Sequence, residues 1–233
     1  MKKLVVFSGA GMSVESGIHT FRDSDGLWEN YKIEDVATPE AWQKDPELVQ
    51  RFYNERRKNI LNATPNSAHL AIAALEHQFD VNVITQNIDD LHERAGSSRV
   101  LHLHGNIRFA KTSGPDAQIT QELYPIRGYE LKLDRDRCKD GYPLRPHVVW
   151  FGESVPAYQD AIHQIRQADI FIVIGSTLSV YPVAGLIHEI SGSCEAYYID
   201  LKADYHRVPK QYQLLKMTAS EGVKTLSETL KSK

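Results

Sequence analysis

At 233 residues, with 42% of them hydrophobic and 24% charged, the chain is long enough for one sizeable core and a smaller satellite, and too apolar to be disordered. The formal net charge of -3 arises from 27 basic and 30 acidic residues spread along the chain, so no basic stripe asks for nucleic acid or an anionic membrane. Cys138 and Cys194 are the only cysteines and lie far apart, which excludes a disulfide framework and any metal site of four thiolates.

Met1-Lys2-Lys3 runs straight into LVVF without an apolar h-region, and no apolar run of about 18 residues follows, so the expectation is a cytoplasmic protein. Short apolar runs bounded by turn residues predict buried parallel strands at Leu4–Phe7, Val81–Thr85, Val100–Leu103, Val148–Phe151, Ile170–Ile174 and Tyr197–Leu201. Between the first two, NSAHLAIAALEHQ predicts a helix from an N-cap at Asn66 to Gln78, with Leu70, Ala73, Ala74 and His77 at helical spacing. Alternating strands and helices place the chain in the α/β class, with a doubly wound, Rossmann-like parallel sheet. Residues 30–64 read instead as charged helices, and residues 107–144 carry Gly, Pro, Tyr and charge with little periodicity. The expected organisation is a sheet domain from residues 1–29, 65–106 and 145–233, with a small domain built from the two insertions.

The first strand ends in FSGAGMSVESG, where glycines before a helix let a phosphate approach the main chain. A glycine pair there equally serves a plain tight turn, and the spacing is not GxGxxG, which argues against a standard dehydrogenase. In GIHTFRDSDGLW, Phe21 and Arg22 stand a few residues beyond that turn, where an aromatic and a cation form a ligand lid more readily than a core plug. TQNIDDLHERAG opens at the mouth of the second strand, and Gln86, Asn87 and Asp89 alternate with Ile88 so that three polar side chains can point at one ligand. VLHLHGN then places His104 just past another strand as an acid–base candidate, while His102 reads as structural. LRPHVVWFGE and IGSTLSVYPVAGL are extended segments that can take a peptide between them as an added strand, or serve as ordinary connections.

Taken in order, GAGMS, FRDSDGLW, TQNIDDLHERAG, HGN, RPHVVWFGE, GSTLSVYP and YYIDL resemble the sirtuins, NAD-dependent protein deacylases, over residues 9–201. The resemblance implies NAD as co-substrate and acylated lysine side chains of proteins as partners, with the acyl oxygen attacking the ribose carbon as nicotinamide leaves. By the same resemblance His104 is the general base on the ribose hydroxyls, and Gln86, Asn87 and Asp89 line the nicotinamide and ribose pocket. Phe21 would shield the exposed ribose face and Arg22 help fix the cofactor. Gly9, Ala10, Gly11, Ser13, Gly175 and Ser176 would cradle phosphates and ribose, with Thr177, Asp200 and Ala219 completing the cofactor contacts. Val149, Phe151, Gly152 and Glu153 would line the acyl-lysine side, opposite Val180 and Tyr181.

The chain departs from the family pattern in four places. Two CxxC pairs that usually bind structural zinc are missing, Cys138 being the one thiol between HGN and RPHVV, so no zinc is expected and Tyr124, Tyr129 and Leu131 are expected to pack inward instead. His19 replaces a usual Pro, GST replaces GTS, and Asp200 and Lys202 stand where Asn and Glu are common. Finally, RFYNERR resembles the Tyr-x-x-Arg of sirtuins that remove acidic acyl groups, with Tyr53 and Arg56 at i and i+3 on one helix face. Succinyl and malonyl are therefore expected substrates beside acetyl. A non-catalytic NAD or ADP-ribose sensor and a protein ADP-ribosyltransferase remain the alternatives at this stage, and the oligomeric state is open.

Overall fold

The structure, a computed structural model, describes residues 1–19 and 31–231. In chain order it runs β1 (Lys3–Ser8), α1 (Ile33–Val36), α2 (Pro39–Lys44), α3 (Pro46–Asn62), α4 (Ser67–Ala74), β2 (Asp80–Thr85), α5 (Leu91–Arg94) and β3 (Val100–His102). It continues with β4 (Gly105–Thr112), β5 (Tyr124–Pro125), β6 (Leu144–Val148), α6 (Tyr158–Arg166), β7 (Ile170–Ile174), β8 (Glu195–Ile199), β9 (Tyr212–Leu215) and α7 (Ala219–Lys231).

Six strands form a parallel sheet in the order β3-β2-β1-β7-β8-β9. The chain builds outward from β1 in one direction, then restarts at β7 and builds outward in the other. This is the doubly wound order, and it opens a crevice beyond the carboxyl ends of β1 and β7. Along β1, Val5 and Phe7 enter one core with Phe171, Val173 and Tyr198, while Leu4 and Val6 enter the other with Ile72, Val83 and Val223. Both faces are covered, so the strands read as continuous apolar runs, each buried side chain contributing roughly 1.5–3 kcal/mol.

Three expectations need correction. Asn66 does cap α4, accepting from Ala68 N and His69 N at 3.0 and 3.3 Å, with His69 Nδ1 accepting from Asn66 N in return. The α-helix, however, ends at Ala74 and gives way to a 3-10 turn over Leu75–His77 rather than running to Gln78, and the face it buries is Ala68, His69 and Ile72, whereas Leu70 is 53% exposed. Alanines at 71, 73 and 74 make several faces of this helix apolar, so spacing alone does not select one. The run Val148–Phe151 is not a strand of the parallel sheet: β6 ends at Val148 and pairs antiparallel with β4 in a separate sheet of order β5-β4-β6. Tyr129 does not pack inward either; it is exposed, with Lys58 Nζ 5.5 Å from its ring centroid.

Leu131 does pack inward, with Ala110, Ile126, Cys138 and Leu144, and Tyr124 lies partly buried against them. Helices α1 to α3 share a further core with Ile107, Val148 and Trp150, which ties the small sheet to the helical insertion. Among the described residues no group of three or more His, Cys, Asp or Glu is placed to hold a metal ion, and no helix is long and apolar enough to cross a membrane.

Candidate active site

The crevice is walled by backbone packed on backbone. A Cβ on Gly9 would sit 2.7 Å from Gly175 O, and one on Gly11 2.7 Å from Gly175 Cα. Gly175 itself has φ +58°, and its own Cβ would lie 2.3 Å from Met12 N. Gly9 N donates to Ile174 O at 2.9 Å and Gly11 N to Gly175 O at 2.8 Å. The glycines expected to open the main chain to a phosphate therefore first allow the loops after β1 and β7 to touch, and these two N–H groups are spent on that contact.

The polar loop after β2 is locked to the same place. Thr85 Oγ1 accepts from Ser8 Oγ at 2.9 Å and from Asn87 N at 3.0 Å. Asn87 Nδ2 donates to Gly9 O and to Ser13 Oγ, both at 3.1 Å, and Ser13 Oγ donates to Asp89 Oδ2 at 2.9 Å. Burial pushes the Asp89 carboxyl up, opposed by hydrogen bonds from Leu91 N and the Ser13 hydroxyl. Gln86 Nε2 reaches across to Ser176 Oγ at 2.9 Å, joining the loops after β2 and β7.

His104 follows β3. Its Nδ1 lies 2.9 Å from the Gln86 carbonyl, which can only accept, so Nδ1 carries the proton and Nε2 keeps its lone pair. Burial lowers its pKa below the usual imidazole value, against the Gln86 hydrogen bond. His102 contrasts with it. Both of its nitrogens face acceptors, Asn87 O at 3.0 Å and Glu93 Oε1 at 2.7 Å. Burial alone would lower the His102 pKa, but Glu93, the Asn87 carbonyl and Asp89 together raise it, and Asn106 Nδ2 also lies 3.3 Å from its Nε2.

A cavity of about 240 Å³ gathers most of the remaining candidates. Ala10, Ser13, Gln86, Asn87, Asp89 and His104 line it from the sheet edge, and Tyr53 and Arg56 line it from α3. Val149, Phe151, Gly152 and Glu153 come from the segment after β6, and Val180 and Tyr181 from the loop after β7. Phe151 and Tyr181 are 45% and 79% exposed, so they mark the rim. Glu153 is already engaged: its carboxylate holds the Arg145 guanidinium through contacts of 2.7 and 2.9 Å and accepts from Trp150 N at 2.8 Å. That pairing, outweighing burial, holds its carboxyl below the usual range.

Gly9, Gly11, Gly175, Ser176, Thr177, Asp200 and Ala219 lie outside this cavity. Asp200 sits just beyond β8, its Oδ1 accepting from Lys202 N at 2.7 Å, and Arg207 donates to Thr177 O at 2.8 Å. Ala219 is packed into the core with Ile199 at the start of α7. Phe21 and Arg22 lie outside the described residues.

Three residues escaped the sequence reading. Trp150 is buried with its indole N–H 3.1 Å from the Tyr53 hydroxyl, and Arg145 stacks 3.3 Å from the Trp150 ring centroid. Arg57 is fully buried, donating to Ile107 O, Tyr129 O and Asn54 Oδ1, and it fixes α3 against β4. Their neighbours in RFYNERR and RPHVVWFGE drew notice, but the partners that give these three their roles are distant in sequence.

Burial pushes the Tyr53 phenol up to about 12, against the pull of Arg56 and Trp150, so it remains a neutral hydrogen-bonding group. The Arg56 guanidinium is lowered by burial and supported by Tyr53 and Asp89. One wall of the cavity thus carries a base with a free lone pair, and another a phenol and a cation. Ile18, Ile60, Ile88 and Val148 fill much of the wall between.

The Sir2 family model matches residues 9–182. An NAD-dependent protein deacylase of Bacteroides thetaiotaomicron is 49% identical over 99% of this chain and 98% of its own length. One of Helicobacter pylori, strain 26695, is 46% identical over 99% of this chain and 98% of its own. Among solved structures, a Sir2 homologue in complex with NAD superposes with a TM-score of 0.87 at 37% identity, covering 99% of this chain and 90% of the other. With a match over three quarters of its length and relatives near half identity across the whole of it, the chain belongs to the Sir2 family.

Proposed function

We propose that the chain is an NAD-dependent protein-lysine deacylase yielding nicotinamide and O-acyl-ADP-ribose, and that its acyl pocket favours groups ending in a carboxylate, succinyl and malonyl, over acetyl. The observation that carries the second part is that Tyr53 and Arg56 line the same cavity as His104. The first part is supported by family membership, by the relatives' activity, and by a polar array that fits a dinucleotide: Gln86, Asn87 and Asp89 converge where the strand order reverses, on a wall otherwise largely apolar.

NAD supplies, when bound, the ribose carbon from which nicotinamide departs. The protein's residues do the rest. His104 offers Nε2 to a ribose hydroxyl because Nδ1–H is held by the Gln86 carbonyl, and its depressed pKa keeps it unprotonated at neutral pH. Asn87, Ser13 and Asp89 form a buried knot that fixes the loop presenting these groups, so little reorganisation is needed on binding. In this reading Phe21 would shield the ribose face and Arg22 would help fix the cofactor, Gly9, Gly11 and Gly175 shape the crevice through their packing, and Ser176, Thr177 and Asp200 serve the phosphates and ribose, while Ala219 acts only through the core. Val149, Phe151 and Gly152 on one side, and Val180 and Tyr181 on the other, guide an acyl-lysine peptide as an added strand. Arg56 grips the acyl carboxylate through paired N–H donors and Tyr53 adds a hydrogen bond.

The test is kcat/KM for acetyl- and succinyl-lysine peptides of one sequence, in wild type and Arg56→Met. The expected preference for succinyl is roughly tenfold to a hundredfold, since a hydrogen bond to a charged group is worth about 1.5–3 kcal/mol. Arg56→Met should remove it mainly through KM, the carboxylate being remote from the reacting carbon. Equal values in wild type, or unchanged selectivity in the variant, would leave a general deacetylase.

A further inference from the structure

The Tyr53 hydroxyl is a two-way group. A phenol can donate or accept, and its O–H prefers the plane of the ring, which leaves two directions for the proton. Among the described residues its one hydrogen-bond partner is the Trp150 indole N–H at 3.1 Å, and an indole N–H can only donate. One in-plane direction is therefore taken by an incoming donor, and the proton must point the other way. Tyr53 lines the cavity, which is where an acceptor for that proton can enter.

Trp150 is held for this purpose from three sides. Its backbone N–H is fixed by Glu153 Oε2 at 2.8 Å, and its ring packs at a tilt on Trp42 with centroids 5.7 Å apart. The Arg145 guanidinium lies 3.3 Å from the ring centroid, oriented by its pairing with Glu153 and by a 2.9 Å bond to Val148 O. A cation on the ring face withdraws electron density from the indole and makes its N–H a stronger donor. Arg145 and Trp150 are both buried, so water does not compete for these contacts.

We infer that Trp150 is a specificity-positioning residue: by donating to the Tyr53 hydroxyl, it makes Tyr53 an obligate hydrogen-bond donor to the acyl end, so that acceptors such as a carboxylate are selected. The inference rests on the acidic-acyl reading above and assigns the selection to a residue that need not touch the carboxylate. It also gives Glu153 and Arg145 an indirect part, since they fix the ring.

The experiment is a double-mutant cycle on the ratio of kcat/KM for succinyl- over acetyl-lysine peptides, with NAD saturating, in wild type, Trp150→Phe, Tyr53→Phe and the double variant. The ratio cancels any general loss that Trp150→Phe causes. Trp150→Phe should lower it severalfold, up to about tenfold, the range for a neutral hydrogen bond of about 0.5–1.5 kcal/mol, because the Tyr53 hydroxyl is still present but no longer oriented, with the loss in the succinyl KM rather than kcat. In the Tyr53→Phe background the same change should leave the ratio where Tyr53→Phe alone puts it. Should Trp150→Phe fail to fold, benzothienylalanine at position 150 keeps the bicyclic shape and removes only the N–H, with the same expectation. If wild type shows no succinyl preference, the acidic-acyl reading falls and this inference with it. If wild type prefers succinyl and Tyr53→Phe abolishes the preference, but the Trp150 variants keep it, the inference alone is overturned. An equal drop with and without the Tyr53 hydroxyl would overturn it too.

Discussion

Gly175→Ala tests whether contact between the loops after β1 and β7 builds the cofactor crevice. The added Cβ would meet Met12 N at 2.3 Å and Gly11 C at 2.5 Å, both backbone atoms that no rotamer change can move. Restoring ordinary contact requires the loops to part by about 1 Å. The φ of +58° costs an alanine about 1–2 kcal/mol, and losing the 2.8 Å bond from Gly11 N to Gly175 O in a buried place costs about 1–3 kcal/mol. The sum, roughly 2–5 kcal/mol, corresponds to a Tm lower by about 5–15 °C for a chain of this size. Gly128→Ala is the control, because Gly128 also has a positive φ, +74°, with nothing within 4 Å of its Cβ, and so should show the backbone cost alone. The assay is calorimetric unfolding of both variants together with KM for NAD, which should rise for Gly175→Ala because Ala10 and Ser13 move with the displaced loop. A Gly175→Ala protein with the Tm of the control and wild-type KM would refute the reasoning.

Other outcomes can be checked independently. His104→Ala should lose about 10²–10⁴-fold in turnover while retaining NAD binding by calorimetry, because His104 is assigned proton transfer rather than cofactor retention; turnover at the wild-type level would remove it from the mechanism. Since the proposed base His104 must be unprotonated and burial lowers its pKa, kcat/KM for an acetyl peptide should hold down to about 6.5 and decline only below it; an acid limb centred above that value would contradict the assignment. His69 is fully buried and held near 4 by burial, so its contribution to stability is complete above about 6.5 and is lost as pH falls towards 4, on the order of 3 kcal/mol, in the same window as His147; a Tm that stays flat across this window would contradict a depressed His69 pKa. A strong chelator should leave Tm and activity unchanged, because the small sheet rests on Ala110, Ile126, Leu131, Cys138 and Leu144; one tightly bound zinc per chain by elemental analysis would overturn this.

The parts of the molecule that sequence made legible are those whose signal is local. Ile170–Ile174 reads as a strand because both faces of the sheet are buried there, and the polar cluster Gln86 to Asp89 shows because it interrupts such a run. The expectation set His104 apart from His102 by its place at a strand end, and the two differ in their contacts: one nitrogen is bonded in the first, both in the second. Where the signal depends on a distant partner it failed. Val149 to Phe151 have the composition of a buried strand, yet Val149 N and Phe151 N are drawn instead to His104 O and Ala37 O. β4 lacks clean alternation because it packs between β5 and β6 while pinned by Arg57 at Ile107 O. The glycines at 9, 11 and 175 were visible as a turn, but their mutual packing joins residues more than 160 positions apart.

The most direct test of the central claim is stoichiometric. The purified protein is incubated with NAD and acetyl-, malonyl- or succinyl-lysine peptides, and nicotinamide, deacylated peptide and O-acyl-ADP-ribose are followed by mass spectrometry. The expected result is one nicotinamide and one O-acyl-ADP-ribose for each deacylated lysine, fastest with the acidic acyl groups and abolished in His104→Ala. Nicotinamide release with ADP-ribose appearing on protein while the peptide stays acylated would contradict deacylation in favour of transfer, and no nicotinamide release with any peptide would leave only a binding module.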